Sequence, residues 1–257
     1  EEKEENSAGT GPEESGLSGE TLPSGETQKT AENICASVGD LLETEEHGAY
    51  LTGYRDGTFH PAGQITRAEA AQLFYNLLRT EPEITADFSD VDGHWYTRPV
   101  QALASLGAIL GYADGTFRPD ASITRAEFVT IASRFSALRE GDVRFSDVGE
   151  KSWARKYIAS ACANGWVSGY PDNTFRPNGN ITRAEAVQVM NAMLGRSPDA
   201  YVSAIYYTVE FDDVARTYWA YPQICEAATP HGYKVEGGAE RWTLPDRYDG
   251  TGWLLSE

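Results

Sequence analysis

The sequence predicts an all-α protein built from three helix–loop–helix repeats. The pentapeptide Ile-Thr-Arg-Ala-Glu occurs three times, and its threonines Thr66, Thr124 and Thr182 are spaced 58 residues apart. A Gly-Tyr turn motif precedes each pentapeptide at a constant distance. Recurrence of two motifs at one fixed spacing indicates stacked supersecondary units, each too small to bury its apolar face alone.

The chain divides into five segments on this pattern. Residues 1–28 contain mostly Glu, Ser and Gly, so burial cannot offset the entropy of ordering and we expect a disordered acidic linker. The other boundaries are repeat 1 at 29–84, repeat 2 at 85–142, repeat 3 at 143–200, and a partial fourth front half with the C-terminal tail at 201–257.

Each pentapeptide is expected to begin a helix. A threonine followed three residues later by glutamate forms a capping box, in which Thr66 accepts from the Glu69 N–H while Glu69 reaches back. Ile65, before the cap, is placed to pack on the first helical turn as a hydrophobic staple. Apolar residues then recur with a helical period, as at Leu73, Phe74 and Leu77.

The motif upstream of each pentapeptide predicts a tight turn. It reads Gly-Tyr, one variable residue, Asp-Gly or Asp-Asn, then Thr-Phe, and it ends in proline. Asp-Gly pairs form turns that require a positive φ, and asparagine at Asn173 tolerates that conformation best after glycine. The phenylalanine and proline that follow lead the chain into the next helix cap.

A third block, beginning Phe-Ser-Asp-Val or Phe-Asp-Asp-Val and reaching a tryptophan, opens the front half of a repeat. It occurs at Phe88–Trp95, Phe145–Trp153 and Phe211–Trp219, and helical patterns follow it. Repeat 1 lacks this block, and its upstream helix is expected in the stretch Asn33–Leu42 instead. The copy at Phe211 has no pentapeptide after it.

The back half of repeat 1 lacks a typical front half, and the C-terminal front half lacks a back half, so two arrangements are possible. In the first, the C-terminal front half packs beside the back half of repeat 1 and closes the ring. In the second, it is a decayed fourth repeat on the outside, since contiguous elements usually pair locally. A structure that places Trp219 far from Arg67 would eliminate the first arrangement.

Composition excludes several functional classes. The net charge of -18 argues against nucleic acid, whose binding needs clustered cations. No run of about 18 apolar residues is present, so no membrane span is expected. Cys35, Cys162 and Cys225 include no Cys-x-x-Cys pair, which leaves buried thiols or one disulfide with a free thiol.

No catalytic or metal-binding motif is present, so the sequence predicts neither an enzyme nor a cofactor. The zinc-protease, nucleophile-elbow, phosphate-loop and dinucleotide signatures are all missing. The histidines show no ligand spacing, and surface or turn positions are expected for them: His47, His60, His94 and His231.

The three motifs together closely resemble the S-layer homology (SLH) family, over roughly residues 29–200 and again at 211–233. The resemblance implies a pseudo-threefold bundle with binding grooves between neighbouring repeats. It also implies a secreted protein of the bacterial cell wall or S-layer, anchored non-covalently to a peptidoglycan-linked secondary cell-wall polysaccharide that carries pyruvylated sugars. The alternative is a structural lattice or protein-interaction module with degenerate grooves. The unassigned segment 234–257 is too short for a catalytic domain.

Candidate ligand-binding residues follow from the motifs. An arginine occupies the first position of each pentapeptide helix, where a cation is unfavourable: Arg67, Arg125 and Arg183. Each either forms a salt bridge with an Asp of the front half or turn, or clamps a ligand carboxylate together with free N–H groups of the helix start. The tryptophans either stack on sugar or anchor the core: Trp95, Trp153 and Trp219. The turn residues either shape the turn or contact sugar: Asp56, Gly57, Asp114, Gly115 and Asp172.

An anionic ligand must be reconciled with the negative charge of the chain. Residues 1–30 hold eight Glu and two Lys, so they carry -6 of the total of -18. The remaining -12 still excludes binding by diffuse attraction. Recognition is therefore expected to come from a few arginines and helix N–H groups in shielded grooves, with weak dependence on salt.

Overall fold

The computed structural model describes residues 34–198 and 208–243, and this part of the chain is mostly helical. It contains α1 (Arg67–Tyr75), α2 (Thr97–Ser105), α3 (Arg125–Arg134), α4 (Arg155–Ala163), α5 (Arg183–Leu194) and α6 (Tyr221–Ala228). A hairpin of β1 (Gly232–Glu236) and β2 (Ala239–Thr243) follows. No helix in the described ranges has the length and hydropathy that a membrane crossing requires. The predicted linker 1–28 lies outside these ranges.

The pentapeptide helices α1, α3 and α5 begin with the predicted capping boxes. The Oγ1 atoms of the three threonines accept from the N–H of the glutamate three residues on, at 3.1, 3.2 and 3.3 Å. Each glutamate carboxylate accepts from the N–H of its threonine in return, at 2.8 to 2.9 Å. Local sequence therefore fixes where these helices start.

The isoleucines that precede the caps join the three repeats. The N–H of Ile123 donates to the carbonyl of Ile65 at 3.1 Å, that of Ile181 to Ile123 at 3.1 Å, and that of Ile65 to Ile181 at 3.3 Å. The three hydrogen bonds form a closed cycle, and all three side chains are buried. The staple residue thus also connects each repeat to both others.

Each front half binds a turn loop through one aspartate. Asp90 accepts from the N–H groups of Phe117 and Arg118, both at 2.8 Å, and Asp147 contacts Phe175 and Arg176 in the same way. The phenylalanine that opens the front half packs on the buried phenylalanine of the same loop, with ring centroids 5.5 Å apart in both repeats. These contacts seat the loop on the core.

The C-terminal front half links the last repeat to the first. Helix α6 packs against α5, just as α2 packs against α1 and α4 against α3. Asp213 accepts from the N–H groups of Phe59 and His60 in repeat 1, both at 2.7 Å, and Phe211 packs on Phe59 with centroids 5.2 Å apart. The segment therefore pairs locally through its helix and contacts repeat 1 through its Phe-Asp-Asp-Val block.

The position of Trp219 does not decide between the two arrangements. It lines a cleft with Arg125, whereas the Phe-Asp-Asp-Val block of the same segment reaches repeat 1. The block and its tryptophan contact different repeats, because the front half lies between two of them. The contact with repeat 1 is decided by Asp213 and Phe211.

Two elements differ from the sequence prediction. The upstream helix expected in Asn33–Leu42 is only the 3-10 turn Val38–Asp40 in the described residues, closed by Asp40, which accepts from the Ser37 N–H. Gly39 and Asp40 disfavour a longer helix. The β1–β2 hairpin was not predicted, although Gly237-Gly238, both at positive φ, is a turn signal for hairpins.

Candidate functional site

Each pentapeptide arginine lies against the turn loop of another repeat. The guanidinium stacks on the tyrosine ring of the Gly-Tyr motif, and in each case the arginine is buried, with 7 to 8% exposed. The pairs and their separations are Arg67–Tyr112 at 5.1 Å, Arg125–Tyr170 at 4.8 Å and Arg183–Tyr54 at 5.0 Å. At each of these three inter-repeat positions an arginine of one repeat is therefore stacked on a tyrosine of another.

For two of these arginines, the nearest carboxylate belongs neither to a front-half aspartate nor to a turn aspartate, which were the expected partners. Arg125 Nη1 lies 3.2 Å from Glu185 Oε1, and Arg67 Nη1 lies 3.7 Å from Glu127 Oε1. Both glutamates belong to the capping box of the next repeat. The front-half aspartates are unavailable, because they accept from backbone N–H groups of the turn loops.

Arg183 differs from the other two. Its Nη2 donates to the Thr52 carbonyl at 2.7 Å, its buried Nε has no partner, and no carboxylate in the described part of the chain lies within 4.0 Å of it. Burial lowers the pKa of this guanidinium. Since arginine stays charged at physiological pH, Arg183 is a desolvated cation without direct compensation.

The expectation of free N–H groups at these helix starts is wrong. The N–H of Arg67 donates to Ala121, that of Arg125 to Gly179 and that of Arg183 to Gly63, at 2.8 to 2.9 Å. The second N–H group of each helix, that of the alanine, donates to a proline carbonyl of the same loop. The third N–H group, that of the glutamate, donates to the threonine hydroxyl of the capping box. Packing between repeats and the threonine caps therefore occupy the first three N–H groups of each of these helices.

An open cleft surrounds Arg125. It has a volume of about 380 Å³ and is lined by residues that include Arg125, Tyr170, Glu185, Arg196 and Trp219. Arg125 Nε donates to the Phe175 carbonyl at 3.0 Å, and Nη2 makes no hydrogen bond within the described ranges. One face of this guanidinium is thus bound to protein, while Nη2 is available to a ligand.

Glu185 is held ionised at the base of this cleft. Burial acts to raise the pKa of Glu185, but the Tyr170 hydroxyl and the Thr182 N–H donate to it and Arg125 lies beside it. Together they hold its pKa below the ordinary value. Arg125 and Glu185 therefore largely neutralise each other, which leaves Arg196 as the excess cation of the cleft.

A second, smaller cleft contains Arg67. Its volume is about 50 Å³, and it is lined by residues that include Arg67, Glu127, Arg134 and Trp153. The candidate residues are thus brought together in pairs, Arg125 with Trp219 and Arg67 with Trp153. Trp95 contacts Tyr96 with ring centroids 5.2 Å apart.

The interpretation of the tryptophans as core anchors is wrong. Trp95, Trp153 and Trp219 are 61%, 44% and 55% exposed. The residue that follows each of them is buried instead: Tyr96, Ala154 and Ala220. The valine of each front-half block is also buried, so the core positions beside each tryptophan are already filled.

Sequence reasoning missed two buried arginines that line the clefts. Arg134 donates from Nη1 to the Ala108 carbonyl, and Arg196 donates to the carbonyls of Gly48 and Glu46. The Nε atom of each has no partner in the described residues, and burial lowers the pKa of both. The two arginines lie at different distances along the chain from the capping box of their own repeat, so the repeat pattern does not reveal them. For Arg134, a cation in the last helical turn was the available signal.

The turn residues are occupied by their own turns. The Oδ1 atom of each aspartate accepts from the N–H and hydroxyl of the threonine two residues on, for Asp56, Asp114 and Asp172. Gly57 and Gly115 adopt φ values of 84° and 81°. The structure supports the turn interpretation, and the aspartates remain exposed at the surface.

Two of the four histidines contradict the expectation of surface or turn positions. His60 and His94 are exposed, but His47 and His231 are buried against each other and against Glu226. Cys162 and Cys225 form no disulfide in the described part of the chain, and Cys225 is buried. Burial raises the pKa of Cys225 to about 11.

Comparison with known proteins identifies the repeats. The family model of the S-layer homology domain matches residues 43–71, 87–129 and 144–187. A cellulosome-anchoring protein of Acetivibrio thermocellus is 40% identical over 228 residues, which cover 83% of this chain and 49% of that protein. An amylopullulanase of Thermoanaerobacterium thermosulfurigenes is 37% identical over 62% of this chain and 9% of its own length.

A surface-layer 125 kDa protein of Lysinibacillus sphaericus is also similar. It is 34% identical over 148 residues, which cover 55% of this chain and 13% of that protein. The chain therefore spans half or less of the length of these relatives. Their names describe anchoring, surface-layer and carbohydrate-active proteins, all of which share the matched repeats with this chain.

Proposed function

The chain belongs to the S-layer homology family, and on that premise we propose that it attaches protein non-covalently to the bacterial cell wall. The similar cellulosome-anchoring and surface-layer proteins support this role and a secreted, cell-surface location. The role is non-catalytic.

The proposed scaffold is a pseudo-threefold bundle with one groove at each junction of repeats. Two observations support it. The backbone hydrogen bonds of Ile65, Ile123 and Ile181 form a cycle, and the three arginine–tyrosine pairs have nearly the same geometry. The C-terminal front half supplies the block that repeat 1 lacks, through Asp213.

The proposed ligand is a cell-wall polysaccharide that carries a carboxylate, such as a ketal-linked pyruvate. The observation that carries this proposal is the presence of two buried guanidiniums, Arg125 and Arg196, in one open cleft beneath the exposed Trp219. A desolvated cation gains most from a bound anion, and arginine donates strong, charge-assisted hydrogen bonds to a carboxylate. The indole offers a flat apolar face for a sugar ring.

The three positions are not equivalent as binding sites. The cleft at Arg125 has room for a sugar, whereas the cleft at Arg67 is much smaller and Nη2 of Arg67 is occupied by the Leu110 carbonyl. Arg183 has no carboxylate within 4.0 Å in the described residues and is the second candidate clamp. Several weak sites on one module would act together through avidity.

Binding to purified cell wall tests the proposal. Arg125→Ala combined with Arg183→Ala is expected to abolish sedimentation of the chain with wall fragments, and removal of pyruvate from the wall should have the same effect. Arg144→Ala is the matched control, because this arginine is exposed on the surface and lines none of the clefts. Unchanged wall binding by the double variant would reject the clamp. Concentration-dependent assembly without glycan would instead favour the lattice role.

A further inference from the structure

Three potential metal-ligand atoms converge at a buried point outside the clefts. His47 Nδ1 lies 3.1 Å from His231 Nε2 and 3.1 Å from Glu226 Oε1, and His231 Nε2 lies 3.3 Å from Glu226 Oε1. The three residues are at most 4% exposed. We propose that His47, Glu226 and His231 bind one divalent transition-metal ion, with Zn²⁺ as the best match.

The spacing of the ligand atoms fits a zinc ion. Zinc binds histidine nitrogen and carboxylate oxygen at about 2.0–2.2 Å in a tetrahedron, which places neighbouring ligand atoms ~3.3 Å apart. The observed triangle has edges of 3.1, 3.1 and 3.3 Å. An ion just outside the plane of this triangle reaches all three atoms with little movement of the side chains. Two histidines and one glutamate leave the fourth position to water.

The glutamate supplies the independent sign that a cation belongs here. Glu226 Oε2 accepts from the indole N–H of Trp242 at 3.1 Å, but Oε1 is buried and accepts no hydrogen bond within the described ranges. The two imidazole nitrogens approach Oε1 without directing an N–H at it. A buried carboxylate oxygen without a donor is costly, and a bound cation removes that cost.

Surrounding contacts orient both histidines toward this point. His231 Nδ1 lies 2.7 Å from the Thr229 carbonyl, which places the proton on Nδ1 and leaves the lone pair of Nε2 facing Glu226. His231 stacks on Trp242 at 3.7 Å and His47 on Tyr233 at 4.1 Å. Both rings are therefore fixed in position before any metal binds, which is typical of a metal site.

The backbone of His47 is fixed as well. The His231 N–H donates to the His47 carbonyl at 3.1 Å, and the Arg196 guanidinium donates to the carbonyls of Glu46 and Gly48 on either side, both at 3.0 Å. Metal binding at Nδ1 requires the tautomer of His47 that carries its proton on Nε2.

The ligands come from three segments that are distant in sequence. His47 precedes the turn of repeat 1, Glu226 lies on α6, and His231 enters β1. A metal ion here would join the start of repeat 1, which lacks its own front half, to the C-terminal segment. Since the stacked rings and β1–β2 enclose the point, we assign the ion a structural role.

Zinc titration of the tag-free full chain tests the proposal. After chelator treatment, isothermal titration with ZnCl₂ is expected to show one ion per chain, and zinc should raise the thermal midpoint. Glu226→Gln should abolish both effects, whereas the matched control His94→Gln, an exposed histidine, should preserve them. Absence of zinc binding by the parent chain, or equal binding by Glu226→Gln, would overturn the site.

A second variant keeps the proposal testable if Glu226→Gln does not fold. Trp242→Phe retains a ring against His231 but removes the donor to Glu226 Oε2, and it is expected to weaken zinc affinity about 10- to 100-fold. Co²⁺ in place of zinc should give the strong visible absorption of a four-coordinate site. Unchanged affinity of Trp242→Phe, or the weak spectrum of six-coordinate Co²⁺, would contradict the assignment.

Discussion

The Arg125 guanidinium lies 4.8 Å from the ring centroid of Tyr170, and the Tyr170 hydroxyl donates to Glu185, the carboxylate beside that same arginine. Two repeats thus share one charged network at the cleft. Arg67 and Arg183 stack on the equivalent tyrosines, Tyr112 and Tyr54, but the number of their donors that bind backbone carbonyls differs. Ligand affinity is therefore expected to differ between the grooves.

Trp219→Ala should weaken wall binding without changing stability. The indole is more than half exposed, so its loss removes a sugar platform and little core packing. Aromatic stacking of about 0.5–1.5 kcal/mol corresponds to a loss of roughly 2- to 10-fold in affinity. Val235→Ala, an exposed apolar residue on the hairpin, is the control. A stability loss in Trp219→Ala as large as its binding loss would contradict the platform role.

Asp213→Ala should destabilise the fold by about 1–3 kcal/mol. The variant removes the acceptor of the partly buried Phe59 N–H, and an unsatisfied buried donor costs about 1–3 kcal/mol, whereas water can replace the acceptor of the exposed His60 N–H. Chemical denaturation measures the change in the free energy of unfolding. Asp212→Ala, at the adjacent exposed position, should change it by less than about 0.5 kcal/mol. Equal effects of the two variants would show that the C-terminal segment does not depend on this contact.

Gly111→Ala should destabilise the protein through a steric clash. A Cβ atom at Gly111 would lie 2.2 Å from the Phe88 ring and 2.8 Å from the Thr116 carbonyl, so ring or backbone must move. Overpacking of this kind costs about 1–3 kcal/mol. Gly149→Ala, where a Cβ atom meets nothing within 4 Å, is the control in the same unfolding measurement. A native-like midpoint for Gly111→Ala would show that the loop can shift away from the front half.

The native thiols of Cys35 and Cys225 should react slowly with iodoacetamide at pH 8. Burial raises the pKa of each thiol to about 11, so the folded state favours the neutral thiol and only ~0.1% is thiolate at this pH. Mass spectrometry of labelled peptides measures the rate, with denatured protein as the reference. Labelling of the folded chain as fast as that of the denatured chain would refute the protection.

Wall binding should depend weakly on salt. With a net charge of -18, the chain gains nothing from diffuse attraction to a polyanion, and binding relies on buried arginines in clefts. Ionic screening acts strongly on exposed charges and little on buried ones. Sedimentation with wall fragments at increasing salt concentrations tests this. A steep loss of binding between low and moderate salt would indicate that surface charge, rather than the clefts, dominates.

The sequence alone determined the repeats, the helix starts and the turns. These features depend on residues a few positions apart, such as Thr124 with Glu127 or Asp114 with Thr116, so the local motif contains the interacting atoms. The S-layer homology repeats could be identified for the same reason. The candidate arginines were also found from the sequence, because a cation at a helix start conflicts with the local dipole.

Only the tertiary structure decided which groups the motif residues and the candidate arginines contact. Arg125 contacts Glu185 and Asp213 contacts Phe59 across the boundaries between repeats, and the helix N–H groups expected to be free are bound to other repeats. His47 and His231 are 184 residues apart and show no ligand spacing, yet folding places them in contact. Packing between repeats determines burial, and burial determines which of the charged groups are left to bind a ligand.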